Sequence, residues 1–304
     1  MAVRLGYACI NLSNPNLSTN RGIQRKTFDA KGVSHCTELA VKNAVDLLEI
    51  LKWNLANGIL VYRMSSDIIP WATEWFLNGT PSTELQSCLA EAGKFAIENS
   101  MRLSFHPGPY NCPGSPTESV IAKTVTDLEC HSRLMDLLEQ PGSPMAKINI
   151  HVGGSYGNKA EALSRVVKTY SMMSKALRSR LTFENDDTPS LYSVKDLYGL
   201  YEQIGTPVVF DGHHWEVGSR SGTYQEDFLL ALRTWGTTTP TVHWSNSRKL
   251  YEDANSPECA HSDKYYKPML VPDNFSIDIM LESKLKDLSL IQYRKDFYNV
   301  QADN

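Results

Sequence analysis

The 304-residue sequence has no C-x-x-C pair; its six cysteines (Cys9, Cys36, Cys88, Cys112, Cys130, Cys259) are scattered. That spacing excludes a zinc knuckle and fits reduced thiols better than a disulfide frame. No apolar run approaches the ~18 residues of a membrane span, and the Met1-Ala2-Val3-Arg4 start is unlike a signal peptide. An excess of positive charge is missing as well. Lys and Arg number 30 against 34 Asp and Glu, for a formal charge of −4. This excludes a protein that coats nucleic acid by bulk charge, though not one with a local basic groove. No low-complexity stretch or charge block divides the chain. We therefore expect an intracellular protein, cytoplasmic or nucleoid-associated, with no membrane partner. It should form a single domain over residues 1–304, ending in a polar tail at 297–304.

What recurs is a short β-branched or apolar run followed by a longer helical pattern. Strands are expected at 4–9, 60–64, 102–105, 147–150, 181–183, 207–210, 241–242 and 277–281. Amphipathic segments at 36–55, 84–98, 116–139, 159–179, 193–204 and 224–235 lie between them. In the first, Leu39, Ala40, Val41, Ala44, Leu47, Leu48 and Leu51 keep a helical period. Ser115-Pro116-Thr117-Glu118 reads as a capping box with Ser115 as the cap. Eight strands alternating with helices suggest an α/β fold, a single (β/α)8 TIM barrel. About 250 residues suffice for a typical barrel, which leaves length for enlarged loops after strands 1 and 7, at 11–34 and 245–274. A doubly wound sheet would favour a glycine-rich turn after its first strand, and Gly6-Tyr7-Ala8-Cys9 is not one.

Barrel chemistry sits at the carboxyl ends of the strands. Consecutive strand ends here present His106, His151, Glu184, Asp211 with His214, His243 and Glu282, and His261 lies in the loop after strand seven. Imidazole and carboxylate together suit divalent Mn, Zn, Fe or Co. One ion takes about four to six ligands, so eight candidates with bridging carboxylates imply two or three ions. Such a cluster suits phosphodiester hydrolysis. Any one of these residues alone would read as a hydrogen-bonded histidine, a helix cap or a salt-bridge partner; their convergence on one rim favours metal. His35 and His131 read as structural, and the choice between His213 and His214 as ligand stays open.

The strings Arg4-Leu-Gly-Tyr7-Ala-Cys9-Ile-Asn11, Tyr62-Arg63-Met-Ser65-Ser66-Asp67-Ile-Ile-Pro70 and His106-Pro-Gly-Pro-Tyr110 resemble those of UV damage endonucleases. So do His151-Val-Gly-Gly-Ser-Tyr156-Gly-Asn-Lys159, Glu184-Asn-Asp-Asp187, Asp211-Gly-His-His214, Ala260-His261-Ser262-Asp263 and Asp278-Ile-Met-Leu-Glu282-Ser-Lys284. The resemblance implies a barrel related to endonuclease IV, acting on UV-damaged double-stranded DNA as a monomer. It also implies a nick immediately 5′ to cyclobutane pyrimidine dimers and 6-4 photoproducts, leaving 3′-hydroxyl and 5′-phosphate ends. Glu184, Glu282 and Asp211 would be catalytic. His106, His151 and Glu184 would hold one ion, Glu184, Asp211, His243 and Glu282 a second, and His214 with His261 a third. The metal would be Mn²⁺ first, with Zn²⁺, Co²⁺ or Mg²⁺ as alternatives, and a metal-bound hydroxide would attack the phosphorus.

The same resemblance places Pro109 and Tyr110 at a probing position and Tyr7 and Asn11 beside the lesion. Pro109 stands where glutamine is common, and Thr241 where a metal-proximal lysine is often found; both bear on efficiency and lesion range. Asp67 takes a place that histidine can hold. Lys159, near a helix start, is a candidate phosphate contact, and Arg21, Arg25 and Lys26 form the best basic cluster. The competing readings are an abasic-site endonuclease of the endonuclease IV type and a single-metal sugar isomerase or epimerase. Three bound divalent ions would carry the formal charge from −4 to about +2, concentrated at the rim.

Overall fold

Short runs of Val, Ile, Leu and aromatic residues, each flanked by turn-forming residues, give eight strands in a computed structural model that describes residues 3–272 and 275–298. They are β1 Val3–Ala8, β2 Val61–Arg63, β3 Arg102–Ser104, β4 Ile148–Ile150, β5 Leu181–Glu184, β6 Val208–Val209, β7 Thr241–Trp244 and β8 Ile277–Leu281. All pair in parallel, in the orders β3-β2-β1-β8-β7 and β4-β5-β6. Single bridges between Phe105 and Ile148 and between Asp211 and His243 join the two sheets and close the circuit. The result is the (β/α)8 barrel read from the alternation of elements.

The larger helices cover the outside: α1 Arg25–Ala56, then, after the single turn α2 Ala72–Trp75, α3 Thr83–Glu98 and α4 Glu118–Leu137. Beyond β4 come α5 Lys159–Met172, the short α6 Lys175–Arg178, α7 Val194–Ile204, α8 Gly212–Val217 and α9 Tyr224–Arg233. The short α10 Arg248–Tyr251 and α11 Lys286–Tyr293 flank β8. Local chemistry sets several starts. Ser193 and Thr223 make capping boxes with Asp196 and Glu226, and Asn158 caps α5.

Three expectations shift. Helix α1 begins at Arg25, bending at Gly32 (φ +66°), so the first loop is shorter than 11–34 and His35 lies inside the helix. Arg25 there pairs with Asp29 and sits 5.6 Å from the Trp71 ring centroid, while Arg21 pairs with Asp46 at 2.6 Å. Two of the three expected basic residues thus hold the fold. Ser115 is not the cap of α4. Thr117 occupies that position, and Ser115 instead accepts the Thr117 amide at 3.1 Å. The loop after β7 is partly ordered by α10 and a Ser247–His261 bridge. Residues 273–274 of that loop and 299–304 of the tail lie outside the described residues.

The amino-terminal end of the barrel is closed by an ionic plug. Asp278 accepts hydrogen bonds from Arg4 Nε at 2.6 Å and from Arg102 Nη1 at 2.8 Å, and Arg102 also reaches the carbonyls of Pro144, Met145 and Thr239. The Arg102 and Asp278 side chains are 1% and 0% exposed, so removing one partner leaves a buried charge uncompensated. Asp278→Ala is expected to lower the unfolding free energy by about 3 kcal/mol in a urea titration. A change below ~0.5 kcal/mol, the scale of surface substitutions, would contradict the plug.

Candidate metal centre

Alternate residues of a strand share a face, and at the carboxyl end of the barrel the inward face is polar. Lys147, Asn149 and His151 follow one another on the inner side of β4, Lys147 and Asn149 fully buried. Glu184 ends β5, His243 lies in β7, and His106 and Glu282 follow β3 and β8. Asp211 is held twice over. Asn185 accepts its amide at 2.8 Å and donates to its carbonyl at 3.0 Å, and Asp211 Oδ1 caps α8 by accepting the His214 amide at 2.7 Å. Its other oxygen, Oδ2, is buried and unpartnered.

Glu184 is the hub. Its Oε2 lies 3.0 Å from His106 Nε2 and accepts from Asn149 Nδ2, and its Oε1 lies 3.1 Å from His243 Nδ1 and 3.3 Å from His214 Nδ1. His243 Nδ1 is also 2.9 Å from Glu282 Oε1, which Arg63 Nη1 reaches as an ion pair. Among the described residues, three sets have ligand atoms close enough to share an ion: His106–Glu184–His243, His151–Glu184–His214 and Asp211–His243–Glu282. The histidines are oriented from behind. Nδ1 of His106 faces the Pro107 carbonyl at 3.3 Å, that of His151 faces Asp186 at 3.3 Å, and that of His214 faces the Asn185 carbonyl at 3.0 Å. The carbonyl partners of His106 and His214 orient those rings and leave Nε2 available, whereas His151 Nδ1 meets Asp186 as an ion pair without an aligned hydrogen bond. His243 is turned the other way, with Nδ1 inward and Nε2 3.0 Å from Lys147 Nζ.

These residues fit divalent ions. Glu184 Oε1, Asp211 Oδ2, His243 Nδ1 and His261 Nδ1 are buried without an aligned hydrogen-bond partner, an arrangement that folded proteins rarely leave without a compensating ligand. Burial pushes His106 and His261 down to about 4, leaving them neutral and ready to ligate. Burial acts the same way on His151, but Glu184, Asp186 and Asp187 outweigh it and raise that group to about 10. Burial opposes ionisation of Glu184 and Glu282 too; His243 and His151 for the first, and Arg63 with His243 for the second, still hold both well below the carboxylate range. Burial also brings Lys147 down to about 7.

The structure regroups several expected residues. Asp211, His243 and Glu282 share a set as expected, His243 also joins His106 and Glu184, and His214 stands in a set with His151 and Glu184. The His261 ring lies 5.4 Å from that of His213 and 6.2 Å from that of His214, outside the three sets. Tyr7 and Asn11 offer DNA no surface here: they are 0% and 1% exposed. The Tyr7 hydroxyl donates to Asn54 and accepts from Asn11, which bends the first loop. Lys159 pairs with Asp196 at 3.3 Å. Tyr110 is 65% exposed, as a probe requires. Asp67 is exposed and joins none of the sets, and Thr241 is buried. Sequence reasoning missed Arg63, Lys147, Asn149 and Asp186. The i, i+2, i+4 spacing of Lys147, Asn149 and His151 was the signal that could have found two of them.

The family described as UV-endonuclease UvdE matches residues 3–302. A UV DNA damage endonuclease of Clostridium perfringens (strain 13 / Type A) is 32% identical over 297 residues, covering 95% of this chain and 69% of the relative. A UV-damage endonuclease of Schizosaccharomyces pombe is also 32% identical, over 305 residues, and the chain spans about half (50%) of its length. The crystal structure of SacUVDE superposes with a TM-score of 0.86 at 28% identity, covering 99% of each chain.

His151 holds its proton up to about pH 10 in the ion-free protein and must lose it to ligate. Burial lowers His214, but Asp211 and Glu184 outweigh it and raise that group as well, so Mn²⁺ binding at neutral pH is expected to release at least one proton per chain and to weaken as pH falls. Calorimetry in buffers of different ionisation enthalpy reads this directly. Heats independent of the buffer would contradict it.

Proposed function

This chain belongs to the UV-endonuclease UvdE family, and from that membership we propose that it nicks double-stranded DNA immediately 5′ to UV photoproducts. The proposed substrates are cyclobutane pyrimidine dimers and 6-4 photoproducts, and the ends are 3′-hydroxyl and 5′-phosphate. One observation carries the proposal: a fully buried carboxylate, Glu184, belongs to two of three ligand sets that meet at the mouth of the barrel. A proton transfer on a sugar needs only one such ion. Two or three divalent ions, Mn²⁺ being the proposed metal, would supply Lewis acidity to a phosphate and acidify a bound water.

The chain's own residues have separate tasks in this reading. Glu184, Asp211 and Glu282 would hold the ions, Arg63 favours the ionised form of Glu282, and Asn185 fixes the Asp211 backbone. The exposed Tyr110 ring offers a face to an unstacked base, since base–aromatic stacking tolerates any sequence. Its neighbour Pro109 brings no amide to replace lost base-pair hydrogen bonds. A photoproduct lowers the cost of opening the duplex, which amounts to a few kcal/mol, so distorted sites are selected over intact ones. The enzyme acts as a monomer where chromosomal DNA is found. No described helix is long and apolar enough to cross a membrane.

A duplex with one defined photoproduct, incubated with and without Mn²⁺, tests the proposal through the position of the nick. The expected product is cut next to the lesion on its 5′ side and only with metal. Cutting confined to abasic sites would favour the endonuclease IV alternative, and no cutting with one ion per chain would favour an epimerase. Glu184→Gln is expected to reduce nicking at least a hundredfold, the upper range for a disturbed metal site, with DNA binding kept. Tyr110→Ala should lower the preference for damaged over intact duplex in a competition assay; an unchanged preference removes Tyr110 from the probing role.

A further inference from the structure

The loop after β4 holds a tyrosine where the backbone favours other residues. The Asn158 amide donates to the Ser155 carbonyl at 2.9 Å, and both central residues have positive φ, +50° at Tyr156 and +79° at Gly157. This is the pattern of a type I′ turn, which prefers Asn followed by Gly because a larger side chain is crowded in the left-handed region. Gly157 conforms and Tyr156 does not. Strain of this kind persists only where the surroundings enforce it, and it clusters at functional sites.

The Tyr156 ring is not spent on the core, since the residue is 48% exposed. It is braced instead. A Cβ on Gly154 would meet the ring at 3.3 Å, and the Arg165 guanidinium lies 5.6 Å from its centroid, anchored by a 2.7 Å hydrogen bond from Nε to the Gly114 carbonyl. The loop after β3 repeats the design. In Gly108-Pro109-Tyr110 the exposed ring again lies against the glycine two residues before it, where a Cβ would come within 2.5 Å. The two loops touch, because a Cβ on Gly153 would stand 2.9 Å from Cys112 Sγ. They leave the barrel from β3 and β4, the strands that deliver His106 and His151 to the metal centre.

We propose that Tyr156 is a second stacking platform, which receives a nucleobase displaced from the damaged duplex beside the one met by Tyr110. The proposal rests on the nuclease reading above and adds a specificity residue to it. Every base has a π-face, so a braced, exposed ring binds it without regard to sequence; Arg165, paired with Glu161 at 3.0 Å, serves to brace the ring.

The turn supplies its own control. Tyr156→Asn installs the residue the turn prefers, and Tyr156→Phe keeps the ring. Each is compared with the unaltered protein by thermal midpoint and by the ratio of dissociation constants for intact and photoproduct duplexes, without added metal. A third readout is the quenching of 2-aminopurine placed in turn at each position flanking the lesion. The expected result for Tyr156→Asn is an equal or higher midpoint, a ratio lowered about tenfold by loss of one stack, and loss of quenching. Tyr156→Phe is expected to retain all three. An unchanged ratio and quench in Tyr156→Asn overturns the platform, as does a lowered midpoint in that variant or a Tyr156→Phe that behaves like it. Failure of the unaltered protein to prefer or nick the photoproduct duplex overturns the nuclease reading itself, and the platform with it.

Discussion

A carboxylate taken wholly out of water stays ionised only when positive groups or ions replace the hydration it loses. Glu184 is 1% exposed, and everything around it answers that requirement. Three imidazoles stand within 3.3 Å of its two oxygens, and Asn149 donates to it from the neighbouring strand. The imidazoles are in turn set by groups behind them: the Pro107 and Asn185 carbonyls for His106 and His214, and Lys147 for His243. Changing the charge at Glu184 therefore alters what every neighbour must do.

The barrel makes this convergence achievable. Because its strands run in parallel and register, side chains two residues apart on one strand occupy successive layers of the interior. Arg102 opens β3 and His106 follows its end, just as Asp278 lies near the start of β8 and Glu282 follows its end. The lower members close the amino-terminal end with an ion pair; the upper ones enter the metal centre. Between them, the Thr182 hydroxyl donates to Asn149 Oδ1 at 2.7 Å, and Asn149 then donates to Glu184. A chain of side-chain hydrogen bonds thus runs from Thr182 through Asn149 up to the hub.

Much of this was legible in the sequence. The eight strands and the residues at their ends follow from local periodicity, because β-branched runs and amphipathic helices are local properties. The ligand groupings were legible in part: Asp211, His243 and Glu282 share a set as expected, whereas the sharing of His243 with His106 was not foreseen. The His214 ring stands 5.4 Å from that of His151 and 6.2 Å from that of His261, in an orientation held by its Nδ1 contact with the Asn185 carbonyl, which no spacing encodes. Tyr7 and Asn11 illustrate the opposite failure: their polar groups suit a binding site, but burial commits both to shaping the first loop. Lys147 opens an expected strand, and only closure of the barrel brings β7 across from it. Its contact with His243 spans 96 residues of sequence.

The measurement that bears most directly on the account is the metal content of the chain. Mass spectrometry after equilibration with Mn²⁺ is expected to find more than one ion per chain. The Glu184→Ala variant, folded by circular dichroism, should lose more than one of them, since that carboxylate serves two of the three ligand sets. A single ion in the unaltered protein, or a Glu184→Ala variant that keeps its full complement, would contradict a centre built on Glu184.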